Sequence, residues 1–104
     1  MTTIHVTQLQ CVRKQDVTGN DEAVIFLNAQ DMGVWPMSKG QVRPFSPHLS
    51  KTFNGSINLE LKERNGLNKY TPLGSALVSA SNPGPQPVEF KTAGAHYHLW
   101  YHLI

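Results

Sequence analysis

The sequence is poor in charge, in cysteine and in long apolar runs. Charged residues make up 15% of its 104 residues, against roughly 25% in an average globular chain. The single cysteine, Cys11, excludes a disulfide within the chain, which predicts a reducing compartment or secretion by a route that needs no disulfide. The opening "MTTIHVTQLQ" has no basic region and no long apolar run. We therefore expect neither a classical signal peptide nor a transmembrane segment, in a protein that is cytoplasmic or secreted without such a peptide.

The charge balance gives no indication of an anionic partner. The formal net charge is +2, and the basic residues are scattered along the chain and form no stripe. This pattern argues against nucleic acid as a partner. The length predicts one domain spanning residues 1–104, large enough to bury a core without a metal or a disulfide.

What the sequence does contain is alternation of apolar and polar residues with a period of two. "TIHVTQLQCV", "SINLELKE" and "AHYHLWYHLI" all show it, and turn-forming clusters such as "TGND", "FNGS" and "SNPGPQP" lie between such stretches. Strands recurring about every ten residues, with no helical stretch, predict an all-β fold. We expect an antiparallel β-sandwich of seven or eight strands, of the Greek-key type.

Strand parity also predicts the core. In the first strand Ile4 and Val6 have one parity and Leu9 and Cys11 the other, which indicates a β-bulge between them. "GQVRPFSPH" carries two prolines and is expected in an edge strand or a loop. The predicted core residues are Val6, Leu9, Ile25, Leu27, Ile57, Leu59, Leu61, Leu77, Phe90, Leu99 and Tyr101.

Two polar loops carry a resemblance to a known family. "QDVTGNDEAVIFLN" is an acidic turn leading into a strand, and "INLELKERNGLNKYTPLGSALV" is a strand, a polar loop and a strand beginning Leu-Gly. Together they resemble the calcium- and phospholipid-binding β-sandwich domains of the synaptotagmin and protein-kinase-C type, over roughly residues 4 to 78. The resemblance implies a sandwich that presents metal-binding loops at one end to a lipid membrane or a protein.

This sequence keeps only some of the acidic loop positions of that family. Asp16 and Asp21 match two positions of the first loop, while Glu63, Asn65 and Thr71 stand where the second loop has Asp. Calcium takes six to eight oxygen ligands, and its affinity rises with their charge. The resemblance therefore implies one weakly bound calcium ion, at about 10⁻⁴–10⁻³ M. The alternative is that the aspartates only build a tight turn through their own backbone.

The C-terminal stretch "AGAHYHLWYHLI" is the most unusual part of the sequence. On a strand, Tyr97, Leu99, Tyr101 and Leu103 share one face, and His96, His98, Trp100 and His102 share the other. We expect the histidine face to point outward. His96 and His98 have a spacing that binds zinc if a third ligand comes from a neighbouring strand. The alternative is a row of solvated histidines beside Trp100, and Trp100 and His102 are also candidates for contacting a partner.

Three functions from different classes fit these features. The first is a non-enzymatic binding module that presents loops to a protein or membrane partner, with weak calcium and, ranked behind it, zinc. The second is a lectin-like domain that stacks a carbohydrate on exposed aromatic rings. The third is a small metal-dependent enzyme using the C-terminal histidines, and it is the weakest because the sequence pairs no general base with them. We therefore expect no enzymatic activity.

Overall fold

The computed structural model describes residues 1–14, 21–66, 69–82, 84 and 86–104. Eight strands run through them: β1 (Thr2–Arg13), β2 (Asp21–Leu27), β3 (Gln30–Met37), β4 (Val42–Phe53), β5 (Ser56–Gly66), β6 (Lys69–Ser79), β7 (Val88–Phe90) and β8 (His96–Leu103). The described residues include no helix that is long and apolar enough to cross a membrane.

The strands form two four-stranded antiparallel sheets that face each other. Sheet A has the order β4-β1-β8-β7, and sheet B has the order β3-β2-β5-β6. The chain passes to sheet B for the β2–β3 hairpin and returns in β4, which pairs with β1. A strand that returns to lie beside the first after two intervening strands is the Greek-key connection. The predicted all-β sandwich, its strand number and its antiparallel pairing are confirmed.

The core is built from the inward-facing residues of both sheets. All of the predicted core residues except Leu77 are buried. The pairing of β1 with both of its neighbours shifts between Val6 and Gln8. This bulge lets Ile4, Val6, Leu9 and Cys11 all face inward despite their opposite parity, and the predicted bulge is confirmed.

The prediction that Leu77 belongs to the core is wrong. Its side chain is 72% exposed, whereas Val78 is 2% exposed. The pairing of β5 with β6 shifts so that Leu61 faces Gly74 but Lys62 faces Pro72, which leaves Leu73 as an extra, buried residue. Because side chains alternate with a period of two, this one-residue bulge turns Leu77 outward and Val78 inward.

β6 and β7 close one edge of the sandwich. Gly74 has a φ of +153°, and a Cβ built on it would lie 2.6 Å from the Cβ of Phe90 on β7. The Thr92 N–H donates a hydrogen bond of 3.0 Å to the carbonyl of Leu73 at the bulge. This close approach, which leaves no room for a side chain at position 74, fixes the short strand β7 at the edge of sheet A. The proline-containing strand β4 forms the opposite edge of the same sheet, as expected.

Candidate functional site

The outer face of sheet A carries all of the chain's histidines. Alternation along β8 buries Tyr97, Leu99 and Tyr101 in the sandwich and leaves the residues between them on the outside, partly or fully exposed. β1 adds His5, which pairs with His102, and β4 adds His48, whose ring contacts both. We call the surface formed by His5, His48, His96, His98 and His102 the histidine face. The outward orientation expected for β8 is confirmed.

At one end of the histidine face, a carboxylate lies between two imidazoles. β7 pairs with β8 so that Glu89 faces His98, with His96 as its diagonal neighbour on the same side. A single oxygen, Oε1 of Glu89, lies 3.1 Å from Nε2 of His96 and 3.2 Å from Nε2 of His98. Glu89 thus lies where a zinc site at His96 and His98 would need its third ligand from a neighbouring strand.

These separations suit a metal ion. The ligand atoms of a tetrahedral zinc ion, each about 2.0–2.1 Å from the metal, stand about 3.3 Å apart. The three candidate ligand atoms all lie within 4.8 Å of one another. The side chains of His96, His98 and Glu89 are 28%, 24% and 46% exposed, so an ion can reach them from solvent.

The electrostatics of the cluster favour the ionised carboxylate. Hydrogen bonds from His96 and His98 hold the pKa of Glu89 below its usual range, with a smaller contribution from the nearby charge of Lys91. The Nζ of Lys91 lies 3.6 Å from Oε2, the other oxygen of Glu89. Oε1 therefore remains directed at the histidines while Oε2 faces the lysine.

Two features adjoin this cluster. The Trp100 ring packs edge-on against His98, with ring centroids 5.8 Å apart. Glu89 also borders a cavity of about 310 Å³ that is lined by Leu77, Val78 and Val88 among others. A ligand bound at the carboxylate would thus meet an aromatic ring on one side and apolar surface on the other.

Those predicted calcium ligands that the structure describes lie at one end of sheet B. β2 begins at Asp21, and β5 runs antiparallel to it with Glu63 opposite Ala23, so the two acidic residues are diagonal neighbours. The Asn65 Nδ2 donates a hydrogen bond to the Thr71 Oγ1. Asp16 lies outside the described residues. Asp21 and Glu63 therefore lie together at one rim of sheet B.

Two acidic residues of that rim, Asp21 and Glu63, point into the sandwich. Asp21 is 0% exposed and Glu63 is 1% exposed. The hydroxyl of Tyr97, on the opposite sheet, donates a hydrogen bond of 2.6 Å to Oδ2 of Asp21. Burial, followed by the hydrogen bond to Asp21, raises the pKa of the Tyr97 hydroxyl far above its usual value. Burial also raises the pKa of the neighbouring Cys11 thiol, which disfavours the reactive thiolate.

Sequence reasoning missed Glu89, His5 and His48 as members of clusters. The stretch "PVEFKT" shows an exposed glutamate on a short strand, but nothing in it reveals that β7 pairs with β8. His5 and His48 are isolated in the sequence and meet His102 only because β4, β1 and β8 are adjacent. A sequence signal existed only for His5, because alternation in the first strand places it on the outer face, as alternation in the last strand does for His102.

Comparison with known proteins supports the fold. No family model matches the sequence, and no curated protein matches it either. A solved structure described as "Structure of a C2 domain" matches 98% of this chain and 96% of its own, with a TM-score of 0.57 and 13% sequence identity. At this identity the likeness shows the fold alone. The resemblance seen in the two loops is thereby confirmed as a distant C2-like fold.

Proposed function

We propose that this chain, a sandwich with a C2-like fold, is a non-enzymatic binding module that holds a divalent transition metal ion, zinc first, at Glu89, His96 and His98. The observation that carries the proposal is the position of one carboxylate oxygen, 3.1 and 3.2 Å from two imidazole nitrogens. Zinc binds carboxylate oxygen and imidazole nitrogen in this kind of three-ligand set.

Metal binding would replace the hydrogen bonds of this cluster with metal–ligand bonds. In the metal-free protein the Nε2 atoms of His96 and His98 share the Glu89 oxygen through hydrogen bonds. To bind a metal through Nε2, each imidazole must be neutral with its one proton on Nδ1, so the Nε2 proton moves to Nδ1 or leaves to solvent. Because the carboxylate is already held ionised, it needs no deprotonation before the ion binds.

The open position of the ion is where we propose that the partner binds. Three protein ligands leave a tetrahedral zinc ion one further position. A carboxylate or imidazole of a protein partner, or the phosphate of a lipid headgroup, would occupy it, while the Trp100 ring adds contact area beside His98. The partial exposure of all three ligands fits recognition of a surface better than chemistry that must exclude water.

Zinc titration by calorimetry tests the proposal with a matched pair of variants. Glu89→Gln removes the charged ligand and should abolish or strongly weaken one zinc-binding event. Glu60→Gln is the control, because Glu60 is also a strand glutamate with a lysine partner, Lys62 Nζ at 3.8 Å. Equal zinc binding by the two variants would refute the proposal. A panel of sugars in the same assay tests the lectin-like alternative.

Calcium at the rim of sheet B is the second candidate. The observation in its favour is that Asp21, Glu63, Asn65 and Thr71 lie together at one end of the sheet. The observation against it is that the Asp21 carboxylate is buried and accepts the Tyr97 hydroxyl. Lipid binding and membrane association through this rim would depend on that ion.

A further inference from the structure

The other end of the histidine face holds a second cluster, made of His5 on β1, His48 on β4 and His102 on β8. These strands are adjacent in sheet A, in the order β4-β1-β8. One ring nitrogen from each histidine lies within 4.8 Å of the other two. We propose that these three imidazoles form a second metal site, which binds a divalent late transition metal, Cu(II) most tightly, and lies outside the Glu89 site.

The strand pairing explains why the three rings meet. His5 faces His102 directly across β1 and β8, and it faces Ser50 across β1 and β4. His48 precedes Ser50 by two residues and therefore lies on the same side of β4. The irregular pairing of β4, in which residues 45–48 stand opposite the single residue Thr7, bends the strand at this point.

The packing of the rings leaves their nitrogens close together. The His5 and His102 rings stack with centroids 4.9 Å apart and an interplanar angle of 26°. The His48 ring meets both of them edge-on, at 6.2 Å from His5 and 5.5 Å from His102. Since His48 and His102 are exposed, their rings can rotate toward a shared ion without disturbing the core.

Ser50 orients His5, which is the least exposed of the three histidines. Its Oγ lies 2.7 Å from Nδ1 of His5 and 3.5 Å from the carbonyl of His48. When the hydroxyl donates to that carbonyl, it accepts the Nδ1–H of His5, and Nε2 of His5 then carries the free electron pair that a metal needs. Hydrogen-bonded partners of this kind fix the tautomer and the orientation of ligating histidines.

The chemistry of the ligand set separates this site from the one at Glu89. Three neutral imidazoles suit Cu(II), Ni(II) and Zn(II), and among divalent ions of the first transition row Cu(II) binds most tightly. His98 and His102 are four residues apart on one strand, which is about 13 Å. One ion cannot bridge that distance, so the two clusters would bind separate ions.

The test uses the double variant His96→Ala/His98→Ala, which removes the Glu89 site and leaves the second cluster intact. With one equivalent of Cu(II), electron paramagnetic resonance should show coupling to three nitrogens. Adding His102→Ala, or His48→Ala instead, should remove one of the three couplings. Adding Ser50→Ala should keep all three and lower the affinity by about 10–100-fold, as loss of an orienting partner does.

Other outcomes would overturn the proposal. If Cu(II) stays with a weak competing chelator, or the spectrum is unchanged by His48→Ala and His102→Ala, the cluster binds no metal as a unit. Both of these substituted residues are exposed, so circular dichroism should show the wild-type fold in each variant. Because the Glu89 site is absent from every sample, failure here does not depend on whether zinc binds at Glu89.

Discussion

Asp21 and Glu89 are both acidic strand residues, but they lie in opposite surroundings. Asp21 faces the interior, is 0% exposed and accepts a hydrogen bond from a tyrosine of the other sheet. Glu89 faces solvent, is 46% exposed and accepts hydrogen bonds from two histidines of the next strand. The phenol of Tyr97 holds its proton tightly, whereas the nitrogen of a neutral imidazole is a common metal ligand.

The comparison separates a structural contact from a candidate binding site. The Asp21–Tyr97 hydrogen bond links the two sheets across the core, and a buried bond to a charged group stabilises a fold when it stays intact. The Glu89 cluster links two strands of one sheet and remains open to solvent. We therefore expect changes inside the sandwich to affect stability, and changes on the histidine face to affect metal binding.

The largest effect should come from removing apolar volume inside the sandwich. Leu59→Ala should lower the free energy of unfolding by about 2–5 kcal/mol, because Leu59 is fully buried and its loss leaves a cavity. Leu77→Ala, at a residue that is 72% exposed, should change it by less than about 0.5 kcal/mol. Urea unfolding measures both changes. Equal losses would contradict the assignment of Leu59 to the core and of Leu77 to the surface.

The next effect should come from the interior hydrogen bond. Tyr97→Phe removes the hydroxyl that donates to Asp21 and should cost about 1–3 kcal/mol, because a buried carboxylate then loses a partner. Tyr70→Phe is the control, since Tyr70 is partly exposed and contacts Phe26 through its ring. A Tyr97→Phe variant as stable as wild type would show that the bond between the sheets contributes nothing.

If the rim of sheet B binds calcium, the ion should change the stability by as much as Tyr97→Phe does, or by less. At 5 mM calcium, an affinity of about 10⁻⁴–10⁻³ M would raise the free energy of unfolding by about 1–2 kcal/mol. Asp21→Asn keeps an oxygen for the Tyr97 hydroxyl but should abolish this gain. Asp31→Asn, whose side chain still accepts the Gly33 N–H, should preserve it. If calcium causes no thermal shift in the folded wild type, the acidic turn has a structural role only.

Alkaline pH should gradually lower the free energy of unfolding. The raised pKa of Tyr97 means that the folded protein keeps a proton which the unfolded chain loses near pH 10. The contribution of Tyr97 to stability is therefore complete below about pH 10 and falls as the pH rises, by up to about 1.4 kcal/mol per pH unit. Urea unfolding of Tyr97→Phe should show a shallower fall, to which the raised pKa values of Cys11 and Tyr101 still contribute. If the free energy of unfolding of wild type and of Tyr97→Phe fell identically with pH, this account would be contradicted.

The sequence predicted the strands well because alternation is a local property. The outward face of β8 and the bulge in β1 follow from residues next to one another in the chain. The bulge at Leu73 does not, because it depends on how β6 pairs with β5, and the assignment of Leu77 to the core was wrong for that reason.

The candidate site was predictable only in part. His96 and His98 share one face of one strand, so their spacing alone indicated a metal ligand pair. Their partner Glu89, and the meeting of His5 with His48 and His102, depend on which strands become neighbours. A family resemblance directed attention to Asp21 instead, and the family pattern does not show that this side chain packs against Tyr97.

The central claim is that the carboxylate available to a metal is Glu89 on the histidine face. Nuclear magnetic resonance of the ¹⁵N-labelled protein, titrated first with calcium and then with zinc, tests it most directly. We predict that zinc shifts the Nε2 signals of His96 and His98 and the amides around Glu89, and leaves the amides around Asp21 and Glu63 unchanged. Zinc-dependent shifts centred on Asp21 and Glu63, or none at His96 and His98, would contradict the claim.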